Sequence, residues 1–123
     1  MGDRADGPLA GGTLTDKYLN GATAPAGSRH VKFPAFQARY HCERSLAAAH
    51  KYAALAEAKG ITTAQLALAW CKSRWYVAST IIGATTLDQL KENIGAFELE
   101  LDAETLAAVD AVHLECRNPN VTD

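Results

Sequence analysis

The residues best suited to chemistry lie in the stretch S-T-I-I-G-A-T-T-L-D-Q-L-K-E-N-I, from Ser79 to Ile94. The apolar, β-branched residues 77–82 predict a buried strand, and Gly83 allows a close backbone turn after it. Thr86 and Gln89 have the spacing of a capping box, which predicts that a helix begins there. Because the first N–H groups of a helix lack partners and carry partial positive charge, this strand, turn and helix could seat a phosphate.

The helix that follows this turn has two distinct faces at about 100° per residue. The apolar side is formed by Leu87, Leu90 and Ile94, and the polar side by Thr85, Gln89, Glu92 and Asn93. The polar side could contact the rest of a nucleotide whose phosphate lies at the helix start. The alternative is a capped surface helix without a ligand, since capped strand–turn–helix units are common.

A second candidate stretch is P-L-A-G-G-T-L-T-D-K-Y, from Pro8 to Tyr18. Its adjacent glycines let the backbone approach a ligand closely, and Lys17 supplies a cation. Residues 19–36 contain two glycines and two prolines, which predicts a long loop, with Arg29 and Lys32 as further cations. A phosphate-binding loop and a solvated loop with scattered charge both fit this pattern, because the spacing is not that of a Walker A motif.

Composition excludes several classes of function. The chain has 123 residues, 48% of them hydrophobic, which suits one ordinary domain. A net charge of −2 gives no electrostatic footprint for nucleic acid or an anionic membrane. No apolar run approaches the roughly 18 residues of a membrane span. Three widely spaced cysteines, Cys42, Cys71 and Cys116, indicate a reducing, cytoplasmic environment, and Cys71 is predicted to be a small core residue.

The remaining chain predicts three further helices. The first covers Ser45–Lys59, with Ser45 as N-cap and Gly60 after its end. The second opens at Thr62 in a capping box with Gln65 and runs to about residue 74. The third has Asp102 as N-cap and runs to about residue 116.

Little strand is predicted beside these helices. Residues 1–7 are expected to be a loose end, and F-E-L-E-L-D, residues 97–102, a strand or an extended packing segment. A buried strand at 77–82 needs a hydrogen-bonded neighbour. We therefore expect that it pairs with another chain or that the polypeptide is part of a larger sheet.

Four motifs in this order resemble the last third of an aldo-keto reductase, in the branch with general-stress reductases and potassium-channel β-subunits. The stretch Pro8–Tyr18 is similar to the family segment S-P-L-x-x-G-x-L-T-G-K-Y after the seventh strand. G-S-R at 27–29 and L-A-L-A-W at 66–70 are similar to the loop that follows and to the helix before the eighth strand. The stretch Ser79–Ile94 is similar to the eighth strand and its helix almost residue by residue.

This resemblance implies an α/β fold, the C-terminal part of a (β/α)8 TIM barrel, mostly helical as an isolated chain with one or two short strands. It covers residues 8–119, which leaves residues 1–7 as an extension outside the family and 120–123 as a tail. The family binds NADPH in an extended form and transfers hydride to an aldehyde or ketone. A small carbonyl substrate is therefore expected only in a complete barrel.

By position, the resemblance implies nine cofactor contacts. Pro8 and Leu9 would line the nicotinamide and pyrophosphate end, Lys17 and Arg29 would contact phosphates, Gly83 would allow close approach, Thr85 and Gln89 would bind the 2′-phosphate ribose, and Glu92 and Asn93 would hold the adenosine. Gly7 stands where the family usually has Ser, and Asp16 where it usually has Gly. An acid beside Lys17 would weaken anion binding unless it points elsewhere.

The family's catalytic Asp, Tyr, Lys and His lie upstream of the matched segment, so no catalytic residue is predicted here. The four histidines show no metal-ligand spacing, and no metal site is predicted. We therefore expect a truncated oxidoreductase chain that keeps the cofactor half-site and is inactive alone. The alternatives are a non-catalytic nucleotide-binding or barrel-completing subunit, which would form an oligomer or bind a partner chain, and a helical interaction domain without cofactor.

Overall fold

The computed structural model describes residues 3–5, 7–18, 25–40 and 42–119, with side chains from residue 7 onward. The described chain is mostly helical, as predicted. In order, its elements are β1 (Asp3–Ala5), a 3₁₀ segment (Ala10–Thr15), α1 (Arg29–Lys32), a 3₁₀ turn (Ala38–Tyr40), α2 (Glu43–Ala58), α3 (Thr63–Ser73), β2 (Val77–Thr80), α4 (Leu87–Glu98) and α5 (Ala103–Glu115).

The helix ends follow local chemistry, and most predicted caps are confirmed. Thr62 Oγ1 accepts from the Gln65 N–H at 3.1 Å, and Gln65 Oε1 accepts from the Thr62 N–H at 3.1 Å, which completes the capping box of α3. Asp102 Oδ1 accepts from the backbone N–H of Thr105 at 2.7 Å and caps α5. Gly60 follows α2 at φ +71°, the left-handed conformation that ends many helices.

The start of α2 differs from the prediction. Its N-cap is Cys42 and its first residue is Glu43, so Ser45 lies inside the first turn. Ser45 is buried, and its hydroxyl donates to the Arg39 carbonyl oxygen at 2.6 Å. The hydroxyl thus bonds the preceding segment of the chain, and the helix begins three residues earlier than a serine cap would place it.

The prediction of a loose end at residues 1–7 is wrong for residues 3–5, while residues 1, 2 and 6 lie outside the described chain. Asp3–Ala5 form β1, which pairs in parallel with β2 in the register Asp3↔Val77 and Ala5↔Thr80. The neighbour that β2 needs therefore lies within this chain. β2 is also less buried than its composition suggests, because Ala78 and Ser79 are exposed. Among the described residues, these two strands form the whole sheet.

Two loop predictions need a similar correction. Part of the expected long loop is the single helical turn α1, while residues 19–24 lie outside the described chain. Phe97 and Glu98 belong to the last turn of α4 and not to a strand. The extended alternative holds for residues 99–102, where Leu99 has ψ 136° and Asp102 has ψ 165°. Of the tail, residues 120–123 lie outside the description.

The core lies where α2, α3 and α5 meet. Ala56, Leu66 and Val109 are its buried residues, one from each helix, and Leu68 on α3 is fully buried. Cys71 is also buried, as predicted, and burial raises the pKa of its thiol. α3 is therefore the central element, with a large part of its surface removed from water.

Helix α4 lies against α3 with its polar side. The buried residues of α4 are Asn93 and Ala96. Its apolar side faces solvent, since Leu87, Leu90 and Ile94 are 64%, 38% and 53% exposed. In the part of the chain that is described, no helix combines the length and apolar character needed to cross a membrane.

Candidate functional site

Both candidate loops leave the same edge of the two-stranded sheet. β1 leads into residues 7–18, and β2 leads into residues 81–86. The strands are parallel, so their carboxyl ends lie at one edge. In α/β proteins, ligands bind beyond the carboxyl ends of parallel strands. The loop that contains Pro8 and Leu9 and the loop that contains Gly83 and Thr85 therefore begin next to each other.

The first loop is shaped by two glycines with positive φ. Gly11 has φ +66° and Gly12 has φ +104°, and both lie inside the kinked 3₁₀ segment. A Cβ added at Gly12 would lie 2.6 Å from Lys17 Cε. The positive φ favours glycine at this position, and the absence of a Cβ leaves room for the lysine side chain that folds back over it. The Lys17 ammonium lies 5.5 Å from the centre of the Tyr18 ring.

Asp16 adopts a conformation in which glycine is usual. Its φ is +67° and its ψ is −21°, a left-handed conformation that aspartate tolerates better than most residues. Its Oδ1 accepts a hydrogen bond of 2.5 Å from the hydroxyl of Thr63, the first residue of α3. The acid beside Lys17 is thereby held at a helix N-terminus, where partial positive charge favours it.

The segment 25–40 supports the first loop. Tyr18 and His30 are buried, and their rings stack with centroids 4.6 Å apart. The His30 N–H donates to the Tyr18 hydroxyl at 3.1 Å, and the Thr13 hydroxyl donates to the Tyr40 carbonyl oxygen at 2.6 Å. Arg29, the next residue before His30, is exposed, with its guanidinium 5.8 Å from the centre of the Phe36 ring.

The second loop brings Thr85 and Gln89 together at the start of α4. Thr86 caps the helix by accepting from the Gln89 N–H at 3.2 Å. The Gln89 side chain does not complete the predicted box with Thr86, because its Oε1 accepts from the Thr85 N–H at 2.9 Å and from the Thr85 hydroxyl at 3.1 Å. Both Thr85 and Gln89 are exposed.

Gly83 provides open space. Its φ lies outside the left-handed region, and an added Cβ would meet no atom within 4 Å. The turn after β2 therefore does not depend on the conformational freedom of glycine at this position. The absence of a side chain leaves the backbone before α4 accessible to a ligand.

The rest of the polar side of α4 faces α3. Glu92 Oε1 accepts a 2.6 Å hydrogen bond from the Thr62 hydroxyl, and Asn93 is only 3% exposed. The predicted polar stripe therefore divides into an accessible pair, Thr85 and Gln89, and a pair directed toward α3. Gln89, Glu92 and Asn93 lie on the same face of α4, as the spacing requires, and Thr85 precedes the cap and contacts Gln89.

Two adjacent threonines connect the candidate loops; the sequence assigned Thr62 a role as a helix cap and assigned none to Thr63. Thr62 binds Glu92 on α4, and the next residue, Thr63, binds Asp16 in the first loop. The capping-box motif was the only local signal at this position. The partners lie 30 and 47 residues away in sequence, so no local pattern could have identified them.

An open cavity of about 520 Å³ lies between α2, α3 and α5. Its lining is mostly apolar and includes Tyr52, Leu66, Trp70 and Val109. Desolvation raises the pKa of the Tyr52 phenol above its ordinary value. Among the described residues that line this cavity, Pro8 is the one that belongs to the nine predicted site residues. The cavity is therefore largely separate from the candidate site.

The sequence matches a known family over most of its length. The profile of the aldo/keto reductase family matches residues 5–114. Protein tas of Escherichia coli K12 is 49% identical over 105 residues, which are 85% of this chain and 30% of that protein. An aldo-keto reductase of Babesia bovis is 34% identical over 91% of this chain and 40% of its own length.

Two further relatives carry different names. A probable voltage-gated potassium channel subunit beta of Arabidopsis thaliana is 38% identical over 75% of this chain and 28% of its own length. L-glyceraldehyde 3-phosphate reductase of Escherichia coli O157:H7 is 35% identical over 84% of this chain and 31% of its own length. The chain thus spans from 28% to 40% of the length of these curated relatives.

Proposed function

The chain belongs to the aldo/keto reductase family, and from that premise we propose that it forms the cofactor-binding portion of an NADP(H)-dependent oxidoreductase. The proposed reaction of the complete (β/α)8 barrel is hydride transfer between the cofactor's nicotinamide and the carbonyl carbon of an aldehyde or ketone. The proposal assigns no catalytic residue to this chain, because the resemblance puts the catalytic Asp, Tyr, Lys and His upstream of the matched segment.

One observation carries this proposal. The exposed N-terminal turn of α4 holds Thr85 and Gln89 in contact, beside the open backbone at Gly83. Free N–H groups, hydroxyls and amides at a helix N-terminus suit a phosphate group, and NADPH differs from NADH by a phosphate on its adenosine ribose. The residues present therefore fit the group that distinguishes the two cofactors.

Each residue has a physical role in this proposal. Gln89 Oε1 takes both hydrogen bonds from Thr85, so its amide Nε2 is the end that can donate to a phosphate oxygen. Lys17 contributes a compact positive charge from the loop after β1, and Arg29 a planar one from the segment after it. Pro8 and Leu9 line the cofactor where that loop begins. Bound NADPH would supply the hydride.

Glu92 and Asn93 have a more indirect place in the proposal. Glu92 is hydrogen-bonded to Thr62, and Asn93 is buried on the side of α4 that faces α3. We propose that they orient the start of α4 and limit the space available to the adenine. In this role Glu92 and Asn93 act at the adenosine end through their contacts with α3, and neither needs an exposed side chain.

The experiment is a titration of the purified chain with NADPH, followed by calorimetry and nicotinamide fluorescence, with NADH as comparison. Gln89→Ala should abolish the preference for NADPH. Gln65→Ala is the matched control, because Gln65 occupies the equivalent capping position on α3 and lies outside the proposed contacts. Absence of binding at millimolar cofactor, equal affinity for NADH, or equal losses in the two variants would refute the proposal.

A second candidate function is that of a barrel-completing module. The apolar side of α4 is exposed, and Ile81, the residue after β2, is 50% exposed. Among the described residues, β2 pairs with another strand along one edge only. Exposed apolar faces and open strand edges favour association. The proposed occupant of this surface is a polypeptide carrying the remaining strand–helix units of the family barrel.

A complementation experiment tests this second function. The probe is the portion of the Escherichia coli tas protein that this chain does not match, mixed with the chain and examined by size exclusion with light scattering. A one-to-one complex that is lost in Ile94→Glu and retained in Leu114→Glu would support it. Leu114 is a matched control because it is 60% exposed on a different helix. Two separate monomers would refute it.

A further inference from the structure

Lys17 has an acidic neighbour that competes for its charge. The adjacent residue, Asp16, carries a carboxylate, and an opposite charge within a few ångströms would pair with the ammonium. An ammonium paired in this way is a weaker ligand for a phosphate. The proposed cofactor contact of Lys17 therefore depends on where the Asp16 carboxylate is held.

The described contacts show what holds it. Asp16 Oδ1 receives a 2.5 Å hydrogen bond from the hydroxyl of Thr63, which is 3% exposed. Thr63 is the first residue of α3, whose N-terminus adds partial positive charge. Asp16 reaches this position through its left-handed backbone, while the Lys17 side chain folds over Gly12. A charge-assisted bond of this kind is among the stronger hydrogen bonds in proteins.

From this geometry we infer that Thr63 is a positioning residue, which withdraws the Asp16 carboxylate from Lys17 and leaves the ammonium available for a cofactor phosphate. The inference rests on the proposed function for its ligand. Its distinctive consequence is an epistasis between two positions 47 residues apart in sequence. Loss of the Thr63 hydroxyl should be harmful only while an acid is present at position 16.

The first experiment measures NADPH affinity in a double-mutant cycle at low salt. Thr63→Val should weaken binding by up to about fivefold, the size of an exposed ion pair. Thr63→Ser, which keeps the hydroxyl, should bind as the wild type does. Thr63→Val combined with Asp16→Gly should return to the wild-type affinity, because no carboxylate is left to compete. The Thr63→Val loss should shrink at high salt.

A purely structural role of Thr63 predicts a different pattern. In that case Thr63→Val and the double variant lose affinity equally, and salt does not change the loss, which would overturn the inference. Circular dichroism checks that each variant is folded. If Thr63→Val does not fold, Thr63→Ala replaces it in the same cycle, since alanine also lacks the hydroxyl and is better tolerated in a helix.

A second readout separates this inference from the proposed function. Acetylation of Lys17 by acetic anhydride, followed by peptide mass spectrometry, needs no cofactor. A carboxylate released onto the ammonium keeps it protonated, so Thr63→Val should slow acetylation severalfold and the double variant should restore it. If the wild type fails to bind NADPH and this pattern is found, the proposed function fails and the inference stands. An unchanged acetylation rate in Thr63→Val would overturn the inference.

Discussion

The same substitution at two leucines measures how differently the two sides of this fold are covered. Leu68 on α3 has no exposed surface, whereas Leu87 at the start of α4 is 64% exposed. Replacing either with alanine removes three carbon atoms. At about 0.8 kcal/mol for each buried carbon, the transfer cost is about 2.4 kcal/mol at Leu68, and the cavity left behind raises the total to roughly 3–4 kcal/mol.

The cost at Leu87 is much smaller. About a third of this side chain is covered, so the transfer cost is below about 1 kcal/mol, and the better helix propensity of alanine offsets part of it. For a chain of this size, each kcal/mol changes the Tm by roughly 3–6 °C. Leu68→Ala should therefore lower the Tm by roughly 10–20 °C, and Leu87→Ala by only a few degrees.

Thermal unfolding followed by far-ultraviolet circular dichroism gives both values, and urea unfolding gives the free energies independently. The measurements should be repeated at a tenfold lower concentration to detect association. A loss at Leu87 as large as that at Leu68 would refute the reasoning. It would show that the apolar side of α4 is covered in solution by contacts outside the described fold.

Three further predictions concern single side chains. Hydrogen bonds from the Thr105 side chain and N–H lower the pKa of the Asp102 carboxyl. The ionised carboxylate therefore stabilises the fold at neutral pH, and this stabilisation is lost as the pH falls through the lowered pKa. The Tm difference between the wild type and Asp102→Ala should vanish in acid. The hydrogen bond between Cys42 and Ser45 lowers the pKa of the Cys42 thiol, and Ser45→Ala should slow its alkylation by iodoacetamide at pH 7.5, as measured by mass spectrometry. Gly12→Ala should destabilise the chain by about 1–3 kcal/mol in urea unfolding, because its φ is +104°, a conformation that residues with a Cβ rarely adopt; an unchanged midpoint would contradict the described loop.

Features that depend on residues three or four positions apart could be predicted from the sequence. The capping box at Thr62 and the caps at Thr86 and Asp102 are such features, and all three are present. The bonds that form them are made within one helical turn, so tertiary structure has little influence on them. The exposed contact between Thr85, which precedes the cap of α4, and Gln89 is likewise formed within one turn.

Features that depend on distant residues could not be predicted. Strand β1 is short and polar, and it exists through pairing with residues more than seventy positions away. The amphipathic pattern of α4 predicted two faces, but the pattern does not specify which face meets the protein, and it is the polar one that lies against α3. The contact between Asp16 and Thr63 likewise has no local signature.

The parallel pairing of β1 with β2 has a consequence for the order of folding. The ladder joins the first described residues to residues 77–80, so the chain between them forms a closed loop of about seventy residues. Closing such a loop costs roughly 4 kcal/mol in chain entropy by the logarithmic loop law, before any strand contact compensates. Helices α2 and α3, whose contacts are local, can form and pack before the ladder does. Hydrogen exchange and limited proteolysis should therefore detect opening at β1 before opening elsewhere. The loop that carries Lys17 follows this strand, so it should become accessible at the same time.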